Sequence, residues 1–185
     1  ERTGADYLIT GCGSCGGAWK HDYTDVLSSD PVYAPKAAYW AERTYDVSTF
    51  LTKVISFKKP TGNVEATVTY HDSCHLKKTM KVFNEPREIL KSIPGVEFKE
   101  MSQPDACCGS GGSYVLSHYE TSSAIGRRKA EDINKTGAEV VSTGCPACMM
   151  QLLDNVNRFG NKQKTTHYIS LLAESYRNEK ETVDR

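Results

Sequence analysis

Hydrophobic and polar positions along the chain follow two alternating periods. From Val64 to Tyr70, the apolar residues Val64, Ala66, Val68 and Tyr70 are interleaved with Glu65, Thr67 and Thr69. A period of two with several β-branched residues predicts a strand. Ala5–Thr10, Val96–Met101, Glu139–Thr143 and Thr165–His167 read as further short strands. Between them the spacing turns helical. A helix is expected after Gly11-Cys12-Gly13-Ser14-Cys15, running to Val26 and Leu27 and stopping at Asp30-Pro31. Pro35 suits the opening turn of the next, which carries Ala38, Tyr39 and Trp40. From Asp46, a candidate N-cap, Val47, Phe50, Leu51, Val54 and Ile55 share a face until Lys58-Lys59-Pro60 and Gly62 end it. Helical stretches are predicted over Leu76–Phe83 and Arg87–Ile93, with a turn at Pro94-Gly95. A long helix is predicted over Ser113–Lys135, with Val115, Tyr119, Ile125 and Ile133 on one face. Pro146 opens a helix bearing Met149, Leu152, Leu153, Val156 and Phe159, closed by Gly160, and a last helix covers Ser170–Arg177.

Strand and helix alternate, with connections long enough for right-handed crossovers. The expected fold class is α/β, a mostly parallel sheet covered by helices on both faces. Composition adds no competing class. The chain has 185 residues, 38% hydrophobic and 25% charged, enough for a well-buried core. Its 23 basic and 23 acidic side chains balance, so no long-range field draws it to nucleic acid or an anionic membrane. No apolar run approaches the ~20 residues of a membrane span. Glu1-Arg2-Thr3-Gly4 resembles neither a signal peptide nor a natural start, and reads as a cut.

An internal repeat sharpens that expectation. Gly4-Ala-Asp-Tyr-Leu-Ile-Thr-Gly-Cys-Gly-Ser-Cys15 matches Gly137-Ala-Glu-Val-Val-Ser-Thr-Gly-Cys-Pro-Ala-Cys148 at six of twelve positions, including both cysteines. Val47–Leu51 matches Ile169–Leu172 at a smaller offset, so the first copy has the longer link. The 133-residue offset cannot fit twice into the chain. Residues 1–62 are therefore expected to be the C-terminal part of a first repeat, and residues 63–185 a complete second one.

Seven cysteines are many for this length, and the count is odd. Neither that number nor the adjacent pair Cys107-Cys108 suits a secreted disulfide framework, which leaves metal or redox chemistry. Cys74 follows the Val64–Tyr70 strand, Cys107 and Cys108 follow the Val96–Met101 strand, and Cys145 and Cys148 follow the Glu139–Thr143 strand. All five thus lie beyond the carboxyl ends of expected parallel strands, where open α/β sheets build sites. Structural zinc takes four ligands, usually from two tight pairs. Five thiolates with an adjacent pair favour a multi-iron centre, with zinc as the alternative. Gly109, Gly111 and Gly112 allow backbone N–H groups to approach sulfur.

Among the remaining polar residues, His71 and His75 flank Cys74 and either serve the centre or hydrogen-bond their loop. His118 and Tyr119 are expected to pack, His21 to be exposed, and Met149 and Met150 to pack beneath the site. Arg127-Arg128-Lys129 reads as a solvated helix face, with docking of an acidic partner as the lesser alternative.

The pattern Cys74-x32-Cys107-Cys108-Gly109, followed after 36 residues by Cys145-x-x-Cys148, resembles the CCG cysteine-rich domain family. That family occurs as tandem copies in the cysteine-rich subunits of heterodisulfide reductases and in iron–sulfur subunits of hydroxy-acid oxidoreductases. His71-Asp-Ser-Cys-His-Leu-Lys-Lys78, Pro94–Phe98, Cys107–Tyr114 and Gly144–Asp154 look most like the glycolate oxidase and lactate dehydrogenase subunits. The resemblance implies a Rossmann-like pair of domains and an iron–sulfur cluster, 4Fe-4S and non-cubane in the heterodisulfide reductases, held by Cys74, Cys107, Cys108, Cys145 and Cys148. Cys12 and Cys15 match the last pair of an incomplete second site. It further implies a flavin-containing dehydrogenase subunit and a ferredoxin-like iron–sulfur domain as partners. The implied location is cytoplasmic, or at the inner membrane face through those partners. The activity expected is electron transfer in oxidation of a 2-hydroxy acid such as glycolate or lactate. Reduction of a disulfide at the cluster, a metal-free thiol–disulfide enzyme and a structural zinc domain are the alternatives.

Overall fold

A computed structural model describes residues 4–183, and side chains as far as Glu179. The Glu1–Thr3 start lies outside the described residues. The chain begins with β1 (Leu8–Thr10), then α1 (Gly13–Gly17), a π-helical stretch (Ala18–Asp22) and α2 (Tyr23–Val26). After α3 (Ala34–Arg43) come β2 (Thr44–Asp46), α4 (Val47–Thr49) and a second π-helical stretch, Phe50–Val54. β3 (Ala66–His71) leads through a third, His75–Thr79, into α5 (Glu85–Ser92) and β4 (Val96–Phe98). α6 (Tyr114–Ser117) and α7 (Tyr119–Lys135) precede β5 (Val140–Thr143), and α8 (Pro146–Phe159) precedes β6 (Lys164–His167) and α9 (Tyr168–Val183).

The result is an α/β, Rossmann-like arrangement. Four strands pair in parallel in the order β4-β3-β5-β6, while β1 and β2 form a separate parallel pair. Every parallel connection needs a crossover, which places helices on both faces. Side chains alternate across the pleat. Val68, Tyr70 and Val140 point to one face, where they pack with Ile89, Leu90 and Ile93 of the α5 region and with Tyr168, Leu171 and Leu172 of α9. Val141 points to the other, against Ile133 of α7 and Leu152 and Val156 of α8. Each such fully buried aliphatic side chain contributes about 1.5–3 kcal/mol. β3 and β5 are adjacent, with registered pairs from Val68↔Val140 to His71↔Thr143. The chain leaves β3 toward β4 and leaves β5 toward β6, so the strand order reverses between them. In open parallel sheets a crevice forms at that point, outside the carboxyl ends.

Several local expectations are corrected. β2 has only three residues, too few for a period to show in sequence. The long helix breaks at His118, whose φ of −131° and ψ of 49° are not helical. Its buried face is Ser122, Gly126, Lys129, Ala130 and Ile133, while Tyr119 is exposed. Lys129 is therefore no part of a solvated face: it is 2% exposed. Met150 is 76% exposed and packs under nothing, because α8 presents Cys148, Gln151, Leu152 and Asn155 inward. His118 is exposed and stacks on Tyr114, with ring centroids 4.5 Å apart. His21 is exposed, as expected.

Candidate metal centre

Three segments meet at the crevice. Asp72 and Ser73 continue β3 outward to Cys74, which precedes the π-helical stretch at His75. The Asp72 carboxylate anchors this exit. Arg87 of α5 donates to it twice, Nη1 to Oδ1 at 2.7 Å and Nη2 to Oδ2 at 3.1 Å, and Lys77 Nζ lies 3.3 Å away. The Asp72 N–H donates to the Pro104 carbonyl at 3.0 Å, tying the strand end to the loop that carries Cys107 and Cys108.

That loop is clamped by α7 and α8 together. Ser122 Oγ of α7 donates to the Gly109 carbonyl at 2.7 Å, and Asn155 Nδ2 of α8 donates to the Cys108 carbonyl at 2.8 Å. Gln151 in turn holds Asn155 Oδ1 at 3.0 Å. Gly109 has φ +95°, and a Cβ there would fall 2.5 Å from the Ser122 carbonyl oxygen. Only glycine fits. Its N–H donates to Cys107 Sγ at 3.3 Å. Lys129 Nζ, deep under the loop, donates to the Gln103 carbonyl at 2.6 Å. The third segment is the β5–α8 junction, where Cys145 is the N-cap and Cys148 faces inward from the first turn.

The sulfur atoms converge. The Cys74 thiol hydrogen-bonds Cys107, Cys148 hydrogen-bonds both Cys108 and Cys145, and Cys108 lies close enough to feel the charge of Cys107. The pKa of Cys107 is held down to about 6, foremost by the hydrogen bond from Cys74. Those of Cys108 and Cys145 are each held near 4, foremost by hydrogen bonds from Cys148. The two thiols that supply those protons, Cys74 and Cys148, are pushed upward. Crowded, partly buried thiols held both below and above their ordinary range make the pocket a candidate site for metal.

His71, the last residue of β3, lies on the pleat face opposite Tyr70 and is fully buried. A ring nitrogen of His71 and the Sγ atoms of Cys108 and Cys148 all lie within 4.8 Å of one another. Cys12 packs beside this cluster and interacts with Cys145, and burial raises its thiol to about 11. Cys15 is exposed and does not join it. Ser14 Oγ bridges the two segments, 3.3 Å from His75 Nδ1 and 3.9 Å from Cys145 Sγ. A cavity of about 290 Å³ opens beside Cys107, lined by Gln103, Arg128, Lys129 and Asp132.

Sequence reasoning missed Asn155, Ser122, Lys129 and the Asp72–Arg87 pair. For Lys129 a signal was present. Ser122, Gly126, Lys129 and Ile133 are spaced by four, three and four, a helical face that needs no large apolar residue where Gly126 meets Asn155.

Residues 68–153 match a known family. The family is the CCG cysteine-rich domain. The matched segment contains all five converging cysteines, and relatives extend the likeness across the chain. A "Probable glycolate oxidase iron-sulfur subunit" of Bacillus subtilis is 36% identical over 179 residues, covering 95% of this chain and 40% of that protein. The B subunit of a fumarate reductase (CoM/CoB) from Methanothermobacter marburgensis is 37% identical over 175 residues, covering 94% and 33%. "Lactate utilization protein A" of Halalkalibacterium halodurans is 29% identical over 177 residues, covering 96% and 72%. The chain thus spans less than half the length of the first two. Among the described residues, no helix is long and apolar enough to cross a membrane.

Proposed function

We propose that Cys74, Cys107, Cys108, Cys145 and Cys148, steadied by the Gly109 N–H, hold an iron–sulfur cluster that relays electrons in a multi-subunit oxidoreductase. The convergence of five sulfurs at one strand-order reversal carries this reading. The donor set suits the group. It is sulfur-rich, buried on the Cys108, Cys145 and Cys148 side, and has more ligands than one zinc ion uses. A bound cluster supplies reversible one-electron chemistry, while burial and N–H donors to sulfur set its potential. The names of the relatives support a 2-hydroxy acid such as glycolate or lactate as the substrate of the whole complex. A flavin subunit and a ferredoxin-like domain would then be the electron partners, and any membrane association would run through them. Residues 1–62 would be the tail of a first CCG-type repeat and residues 63–185 the complete second copy. The parallel pairs β1–β2 and β5–β6, each followed by a helix, support this division. Cys12 and Cys15 would belong to the first copy's site.

The cavity beside Cys107 favours a second reading, in which an acceptor such as a disulfide is reduced at the centre itself. One measurement tests the shared premise. Protein purified without oxygen should contain iron and acid-labile sulfide, both lost in a Cys107→Ser, Cys108→Ser variant. Stoichiometric zinc without sulfide would overturn it.

A further inference from the structure

We infer that Lys129 is the buried countercharge of the metal centre and holds its reduction potential up. The inference rests on the cluster proposed above and concerns its electrostatic setting, with the five sulfurs as its ligands. Lys129 projects from α7 and is 2% exposed, a degree of burial that lysine reaches almost only when paired. Yet among the described residues its ammonium group makes no ion pair with a carboxylate. Nζ donates instead to the Gln103 carbonyl at 2.6 Å and to the Pro104 carbonyl at 3.5 Å. Both carbonyls belong to the loop that runs into Cys107 and Cys108. Nζ also lies 3.9 Å from Met101 Sδ, and Met101 packs in the same buried cluster as Cys108, Cys145 and Cys148. Carbonyl dipoles satisfy the donors without cancelling the charge, and burial draws this ammonium's pKa down. Asp132, Cys108, Asp105 and Asp72 pull it the other way.

Five thiolates make the bound centre a net anion, and reduction adds a further negative charge. In a buried setting a fixed cation nearby stabilises that charge and so favours the reduced state. Lys129 gains in return the opposite charge it lacks. Its neighbour Arg128 lines the same cavity beside Cys107 but is exposed, so water screens it. Asp132, one turn along α7, holds the same loop with the opposite sign. Its carboxylate accepts from the Ser102 N–H at 3.2 Å and the Gln103 N–H at 2.9 Å. Lys129→Met and Asp132→Asn therefore both loosen the loop, while they change the local charge in opposite directions.

The test uses the full chain purified without oxygen. Iron and acid-labile sulfide are measured first, then the potential by spectroscopically monitored redox titration. Lys129→Met should lower the potential and Asp132→Asn should raise it. Lys129→Arg should stay close to the wild type, and Arg128→Met should shift the potential least. Lys129→Met and Asp132→Asn potentials that move in the same direction would overturn the countercharge and leave the cluster standing. An Arg128→Met shift as large as that of Lys129→Met would also overturn it. If Lys129→Met retains no iron, Asp132→Asn decides, and a potential there that is lowered or unchanged would overturn the countercharge. Absence of iron and sulfide from the wild type would overturn both.

Discussion

Asp72 faces two cations that differ in burial, and the difference predicts unequal consequences for removing them. Its side chain is 2% exposed, Arg87 13% and Lys77 30%. Arg87 makes two charge-assisted bonds to Asp72 and two more to Glu100, Nε to Oε2 at 2.7 Å and Nη2 to Oε1 at 2.9 Å. Its guanidinium also lies 5.1 Å from the Tyr70 ring centroid. Arg87→Met keeps most of the apolar volume and leaves a buried carboxylate with Lys77 alone. Stranding one member of a buried pair costs about 3–5 kcal/mol. Lys77 offsets part of this, so the lower end, about 3 kcal/mol, is expected. At about 2–4 °C per kcal/mol for a chain of this size, the Tm should fall by about 6–12 °C. Lys77→Met should cost only about 0–1 kcal/mol, because a partly exposed pair is screened by water. Urea and thermal unfolding of both variants decide the matter. The Asp72 N–H also ties the strand end just before Cys74 to Pro104, so Arg87→Met should lower iron retained per chain. An Arg87→Met loss below about 1 kcal/mol, or a Lys77→Met loss as large, would refute the assignment of the anchor to the buried bidentate pair.

Gly109→Ala should be destabilised by about 2 kcal/mol or more, from strain at positive φ and from contact with the Ser122 carbonyl, and should lose iron in proportion. In metal-free protein, alkylation of Cys107 should be half-maximal at about pH 6 and move toward the ordinary thiol value of 9.0 in Cys74→Ala, as read by mass spectrometry of the labelled peptide. Burial raises the carboxyl of Asp46 above its ordinary 3.8 despite hydrogen bonds from Ser48 and Tyr168. The folded state therefore holds that proton longer than the unfolded one, and stability is lost as pH rises from about 3.8 through the raised value. Asp46→Asn should flatten the rise in urea sensitivity across that window, and an unchanged pH profile would count against the shift.

Sequence by itself determined the parallel α/β class and the loops that hold the cysteines. Strand periodicity places each strand, although β4 stops at Phe98, short of the expected Met101, and in a parallel sheet all carboxyl ends share one rim. Cys74, Cys107, Cys108, Cys145 and Cys148 therefore had to emerge on the same side. What it left undecided depended on strand order and helix rotation. Only the arrangement β4-β3-β5-β6 makes β3 and β5 neighbours across the reversal, which brings Cys74 and the Cys145–Cys148 turn together. Pleat phase put His71 on the sulfur side and Tyr70 on the other, a choice made by which face α5 and α9 cover. Helix rotation buried Lys129 in a run of basic residues that looked solvated, because Gly126 lets α7 approach Asn155 of α8 and the turn beyond it must then face inward. Short-range patterns fix periodicity and chain direction, but contacts between residues far apart in the chain depend on packing, which no local pattern encodes.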